Sequence, residues 1–172
     1  MTNIFLTGYR ATGKTTVANQ VATALSMESI DADVFLEQQA GLTIAEIFAA
    51  EGEIGFRDRE SAIVKQLAAR EQLVVALGGG AILREENRQA LQRRGITIWL
   101  TASAETIFER MSTDPLTGQR RPNLTNTGGL AEVRELLQQR DPLYQAAADF
   151  SVDTEELSPA EVASRIVELV RG

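Results

Sequence analysis

Short apolar runs alternate with amphipathic stretches along the chain. Ile4-Phe5-Leu6-Thr7 has the composition of a strand. From Thr16 to Leu25 the apolar residues fall at 17, 18, 21, 22 and 25, which is helical spacing. Glu28 to Asp33 predicts a brief strand ending in two acids. Helices are predicted at about 34–40, 43–50 and 55–69. Leu73 to Leu77 is continuously apolar, as a strand buried on both faces would be. A helix from about Glu85 to Arg94 stops at Gly95, and Thr97 to Leu100 forms the next strand. Ser103 can cap a helix running to about Met111. Periodicity then lapses from Ser112 to Gly129. It resumes in a helix at about 130–148, interrupted at Asp141-Pro142. A last short strand covers Phe150 to Val152. Ser158-Pro159-Ala160-Glu161 is a capping box with proline at the first helical position, and it opens a terminal helix to about Val170. Strands alternating with helices in this way predict an α/β fold with a parallel sheet.

Composition narrows the chemistry. A chain of 172 residues, 44% hydrophobic and 24% charged, fits one soluble domain over residues 1–172. No apolar run approaches the ~20 residues of a membrane span, so no membrane association is expected. The N-terminus enters strand-like sequence at once, so no secretory signal is expected either. Cysteine is absent, which suits a cytoplasmic location and rules out thiolate chemistry. Histidine is absent too, which removes Ser-His-Asp catalysis and His-ligated zinc. A net charge of −7 and no basic run longer than two arginines argue against nucleic acid as a partner. An anionic ligand would then need a pocket that concentrates its own arginines.

The stretch Gly8-Tyr9-Arg10-Ala11-Thr12-Gly13-Lys14-Thr15 reads G-x-x-x-x-G-K-T, with a strand before it and a helix after it. That setting makes a phosphate cradle. Backbone N–H groups and the helix N-terminus face the anion, the lysine reaches the terminal phosphates, and the threonine hydroxyl can ligate Mg²⁺. The chain has only two lysines, and one of them is Lys14. Strand 73–77 ends in glycine rather than in an acid, so a metal-side carboxylate has to come from elsewhere. Asp31 and Asp33 are the candidates: at i and i+2 on a strand they would share a face. Alternatively, Asp33 caps the helix that begins at Val34. Gly78-Gly79-Gly80 can bring backbone N–H groups close to a small ligand, or it can be a plain turn. Arg57, Arg110 and Arg140 are candidate anion ligands, with solvated surface arginine as the plain alternative. The aperiodic stretch at about 112–128, carrying Arg120-Arg121, is long enough to be a lid.

In this order these motifs resemble the shikimate kinases. The sequence has the phosphate loop, Asp31-x-Asp33, Phe56-Arg57, Gly78-Gly79-Gly80, Arg121-Pro122-Asn123-Leu124 and Arg140-x-x-Leu143-Tyr144. The resemblance spans nearly the whole chain. It implies a P-loop three-layer α/β/α fold with a five-stranded parallel sheet in the order 2-3-1-4-5. It also implies a substrate-binding region at about 31–61, a monomer, and Mg·ATP-dependent phosphorylation of the shikimate 3-hydroxyl. By the same resemblance, Gly8, Ala11, Thr12, Gly13, Lys14, Thr15 and Thr16 would hold the nucleotide, and Arg110 would stack on its adenine. Thr15 and Asp31 would hold Mg²⁺. Asp33 would bind the substrate hydroxyls and act as base. Arg57 and Arg140 would clamp the carboxylate beside Gly78, Gly79 and Gly80, with the Gly79 N–H as donor. Lys14 and Arg121 would neutralise the transferring phosphoryl. Two residues depart from the family pattern: Ala11, where glycine is common, and Leu77, where threonine is frequent. Competing readings are a kinase of another hydroxy acid such as gluconate, a nucleoside monophosphate kinase, and a non-catalytic nucleotide-binding module.

Overall fold

The computed structural model describes residues 2–114 and 128–172. Five parallel strands form one sheet: β1 (Asn3–Thr7), β2 (Glu28–Asp31), β3 (Leu73–Ala76), β4 (Gly95–Thr101) and β5 (Phe150–Asp153). Their order is β2-β3-β1-β4-β5. Every pairing is parallel, with Phe5 opposite both Val75 and Thr97. The helices are α1 (Lys14–Leu25), α2 (Ala32–Ala40), α3 (Ile44–Ala68), α4 (Glu85–Gln92), α5 (Ala104–Thr113), α6 (Gly129–Ala147) and α7 (Pro159–Arg171).

Strand alternation divides the core between two faces. Ile4, Leu6, Val74, Ala76, Ile98 and Leu100 pack with Val17 and Val21 of α1 and Ile166 of α7. Phe5, Leu73, Val75 and Leu77 point the other way, against Leu36, Val64, Leu67, Leu91 and Tyr144. β1 is covered on both sides and wholly buried, which is why Ile4, Phe5 and Leu6 are apolar without a break. No helix among the described residues is long and apolar enough to cross a membrane.

Three boundaries differ from the sequence expectation. β2 ends at Asp31, and Asp33 lies in the first turn of α2 rather than on a strand. The cap is Asp31, whose side chain accepts from the Asp33 and Val34 N–H groups. The two acids therefore do not share a strand face. The helix through Asp141-Pro142 is not interrupted: α6 runs through Pro142. A proline there forfeits one helical hydrogen bond. Burial of Leu136, Arg140, Tyr144 and Ala147 along one side of the helix offsets that loss. The helices expected at 43–50 and 55–69 are the two arms of α3, which bends at Gly52 (φ 69°, ψ −174°). Glu51 and Arg59 bridge the bend with a two-pronged ion pair at 2.7 and 2.9 Å.

Candidate active site

The phosphate loop, Asp31 and Gly78 to Gly80 lie at the C-terminal ends of β1, β2 and β3, where open α/β sheets bind ligands. The phosphate loop follows β1. A Cβ on Gly8 would lie 2.5 Å from the Leu100 carbonyl oxygen, so only glycine lets the loop cross the end of β4. Ala11 is left-handed at φ 62°, which costs an alanine about 1 kcal/mol. Gly13 occupies the N-cap of α1, and no side chain fills that helix end. The Thr12 hydroxyl donates to the Tyr9 carbonyl at 2.8 Å. The Lys14 ammonium donates to the Gly8 and Tyr9 carbonyls, each at 2.8 Å, and so lies over the mouth of the loop. Thr16 is exposed in the first turn of α1.

Thr15 meets Asp31. Its hydroxyl donates to Oδ2 at 2.5 Å, while Oδ1 caps α2. The carboxylate is thus fixed by the helix on one side and presented to Thr15 on the other. Asp33, one residue past Ala32, is half-buried.

The two arginines expected to clamp an acid are both buried and converge on one turn. The Arg57 guanidinium occupies the space a Cβ on Gly80 would need, at 2.3–2.5 Å. Arg140 Nη1 lies 3.6 Å from the Cβ position of Gly79. Arg57 also packs over Phe56, and Arg140 over Tyr9. Gly78, Gly79 and Gly80 are themselves buried. None of the described residues accepts from the Gly79 or Gly80 N–H. Buried donors left in this state, beside two guanidiniums, suit a carboxylate ligand. Leu77, the second departure from the family pattern, packs in the core.

Sequence reasoning passed over Glu60. It lies three residues after Arg57 on α3, and the guanidinium donates to its carboxylate at 2.7 Å. Both side chains are buried. Burial pushes the Glu60 carboxyl above its ordinary range, and the field of Arg57, Arg140 and Arg84 opposes that shift. The i,i+3 spacing of Arg57 and Glu60 is the signal that could have found the pair. The Tyr144 hydroxyl, which donates to the Gly79 carbonyl at 2.5 Å, had no role assigned either.

Arg110 joins two segments at the far end of the phosphate loop. It donates to the Ala11 carbonyl at 3.3 Å, to the Thr154 hydroxyl at 3.1 Å and to the Thr154 carbonyl at 3.0 Å. The loop after β5 is held a second time, by Glu155, which accepts from the Ser103 N–H and from the Ser103 and Thr106 hydroxyls. Arg121 and the lid expected at about 112–128 fall outside the described residues, except 112–114 and 128.

The family model for shikimate kinase matches residues 10–171. The shikimate kinase of Rhodopirellula baltica is 43% identical over 165 residues, 96% of this chain and 88% of the relative. That of Mannheimia succiniciproducens is 44% identical over 169 residues, 98% and 94% respectively. The structure of the Acinetobacter baumannii shikimate kinase in complex with shikimate superposes with a TM-score of 0.92 at 37% identity, covering 99% of this chain and 93% of that one.

Proposed function

The chain belongs to the shikimate kinase family, and on that premise we propose that it transfers the γ-phosphoryl group of ATP to the 3-hydroxyl of shikimate. The products are shikimate 3-phosphate and ADP. The observation that carries this reading is the convergence of two buried guanidiniums, Arg57 and Arg140, on the Gly79–Gly80 turn. A compact acid is held there by paired, planar donors. Such a clamp leaves the hydroxyls at the other end of the ring for Asp33.

In the reaction, Asp33 takes the proton of the 3-hydroxyl as its oxygen attacks the γ-phosphorus. The bond to the bridging oxygen breaks, and ADP leaves. Lys14, already at the loop mouth, draws the charge of the transferring group. Arg121, on the strength of the sequence motif, does the same from the lid. The exposed N-terminus of α1 and the loop residues Gly8 to Thr16 hold the phosphates. Arg110 and Thr154 border the adenine.

Thr15 and Asp31 fit Mg²⁺, since both offer hard oxygen donors and their oxygens lie 2.5 Å apart. Among the described residues no cluster of three acids or other ligating side chains makes a protein cage. When bound, Mg²⁺ would supply positive charge that offsets the charge of the phosphates. We further read the chain as a single domain from its length, as cytoplasmic from its lack of cysteine, and as a monomer from the family resemblance.

The test is ADP release from Mg·ATP with shikimate, gluconate or quinate as acceptor. ADP formed only with shikimate is the expected result. A response to gluconate instead, or to none of the three, overturns the assignment of acceptor.

A further inference from the structure

Tyr144 is fully buried on α6, one helical turn beyond Arg140. Its ring stacks on Trp99 with centroids 5.7 Å apart and planes at 25°. Its hydroxyl reaches away from that stack to the Gly79 carbonyl. That carbonyl belongs to the peptide unit between Gly79 and Gly80. In a trans peptide the C=O and the N–H point in opposite directions. Holding the carbonyl against Tyr144 therefore turns the Gly80 N–H to the other side of the chain.

That orientation is not secured by the turn itself. The peptide is flanked by glycine on both sides, and glycine backbone rotates more freely than any other. A flip would put a carbonyl oxygen in place of that N–H, next to the Arg57 guanidinium packed against Gly80. A carbonyl in that place would repel the carboxylate that the two arginines attract. The energetic consequence is therefore double: one donor lost and one acceptor gained. The Tyr144 hydroxyl is the contact that discriminates between the two orientations.

We propose that Tyr144 is a positioning residue for acid recognition: its hydroxyl locks the Gly79–Gly80 peptide so that the Gly80 N–H, rather than the Gly79 C=O, faces the substrate carboxylate. The proposal rests on the acceptor reading of the preceding subsection. It differs from the sequence expectation, which took the Gly79 N–H as the donor. It also explains why a tyrosine, rather than another large apolar residue, fills this place in the core. Burial pushes the hydroxyl pKa up to about 12, so the group stays a donor throughout the working pH range.

The variant to make is Tyr144→Phe, which keeps the ring and the stack on Trp99. Steady-state kinetics should show the shikimate KM raised about tenfold, kcat changed less, and the ATP KM within about twofold of wild type. The discriminating substrate is an analogue with the carboxylate replaced by hydroxymethyl. The variant should lose little against that neutral analogue, because no carboxylate reads the peptide. An unchanged shikimate KM, or an equal loss on acid and neutral analogue, overturns the lock. Wild type without shikimate turnover overturns the acceptor reading and the lock with it. Wild-type turnover with an unaffected variant overturns the lock alone. Should the variant fail to fold, ¹⁵N-glycine labelling of the wild type gives the same answer. Shikimate should move the Gly80 amide proton downfield, and the neutral analogue should not. A Gly80 resonance indifferent to shikimate overturns the proposal.

Discussion

Thr15 and Asp31 meet at 2.5 Å, hydroxyl to carboxylate, although one begins a helix and the other ends a strand. The contact exists because Asp31 has two tasks. One oxygen holds the N-terminus of α2, and the other faces the phosphate loop. Asp31→Asn keeps a cap, since asparagine caps as well as aspartate, but it removes the charge. The expected outcome is a folded enzyme that needs about 10–100-fold more Mg²⁺ for half-maximal rate. Titration of activity with Mg²⁺ at fixed ATP checks this, together with an unchanged thermal midpoint.

Two glycines separate binding from folding. On Gly80 a Cβ would strike the tip of the Arg57 side chain, which can swing aside. Gly80→Ala should therefore unfold within about 5 °C of wild type while its shikimate KM rises steeply. On Gly8 a Cβ would strike the backbone carbonyl of Leu100 at 2.5 Å, at φ 142°. Neither that carbonyl nor that conformation yields cheaply, so Gly8→Ala should lower the midpoint by more than about 10 °C. Thermal unfolding of both variants beside shikimate kinetics of the first is the measurement.

Arg140 is expected to act on the acid alone. Arg140→Ala should raise the shikimate KM about 100-fold with ATP affinity retained. Arg140→Lys should not restore it, because an ammonium lacks the planar fork. Calorimetric titration with each substrate separates the two effects. Equal loss of ATP affinity would place Arg140 elsewhere in the mechanism.

Glu60 gives the fold a pH dependence of definite sign. Its carboxyl is raised above 4.5 in the folded state by burial. Its contribution to stability is therefore complete below that value and is lost as pH rises through the raised one. Glu60→Gln carries no such titration. Plotted against pH, the stability of wild type relative to this variant should fall from about pH 4.5 upward and then level off. Because Glu60 anchors Arg57 at 2.7 Å, the same variant should raise the shikimate KM about tenfold at neutral pH. Thermal midpoints taken across the pH range, with kinetics at one pH, test both halves.

Much of this was legible in the residues themselves. The continuous apolar run of β3 showed a strand buried on both faces, the short apolar run at 4–7 showed a strand, and helical spacing placed α1 without ambiguity. The caps at Ser103 and Ser158 could be read because their partners sit three residues on. Asp33 was misplaced because strand and helix join without a loop at Asp31, so no turn residue marks the boundary. Pro142 misled because a local helix breaker was outweighed by tertiary burial, which no local pattern reports. The site was legible wherever chemistry follows chain order, as in the phosphate loop. Glu60 was legible in its i,i+3 spacing to Arg57 and was passed over, whereas the Tyr144 hydroxyl was not legible, because it acts through a contact whose value depends on what lies opposite. For Tyr144 that is a carbonyl 65 residues away.

The stack of Tyr144 on Trp99 also has a practical bearing. Trp99 is the chain's single tryptophan, so its emission comes from one place. That place is two contacts from the acid turn: indole to phenol, phenol to the Gly79 carbonyl. On the proposed assignment of the acid site, the indole is placed to gauge acid occupancy. A change in indole emission on adding shikimate, in the absence of nucleotide, would report acid binding without a label and without turnover.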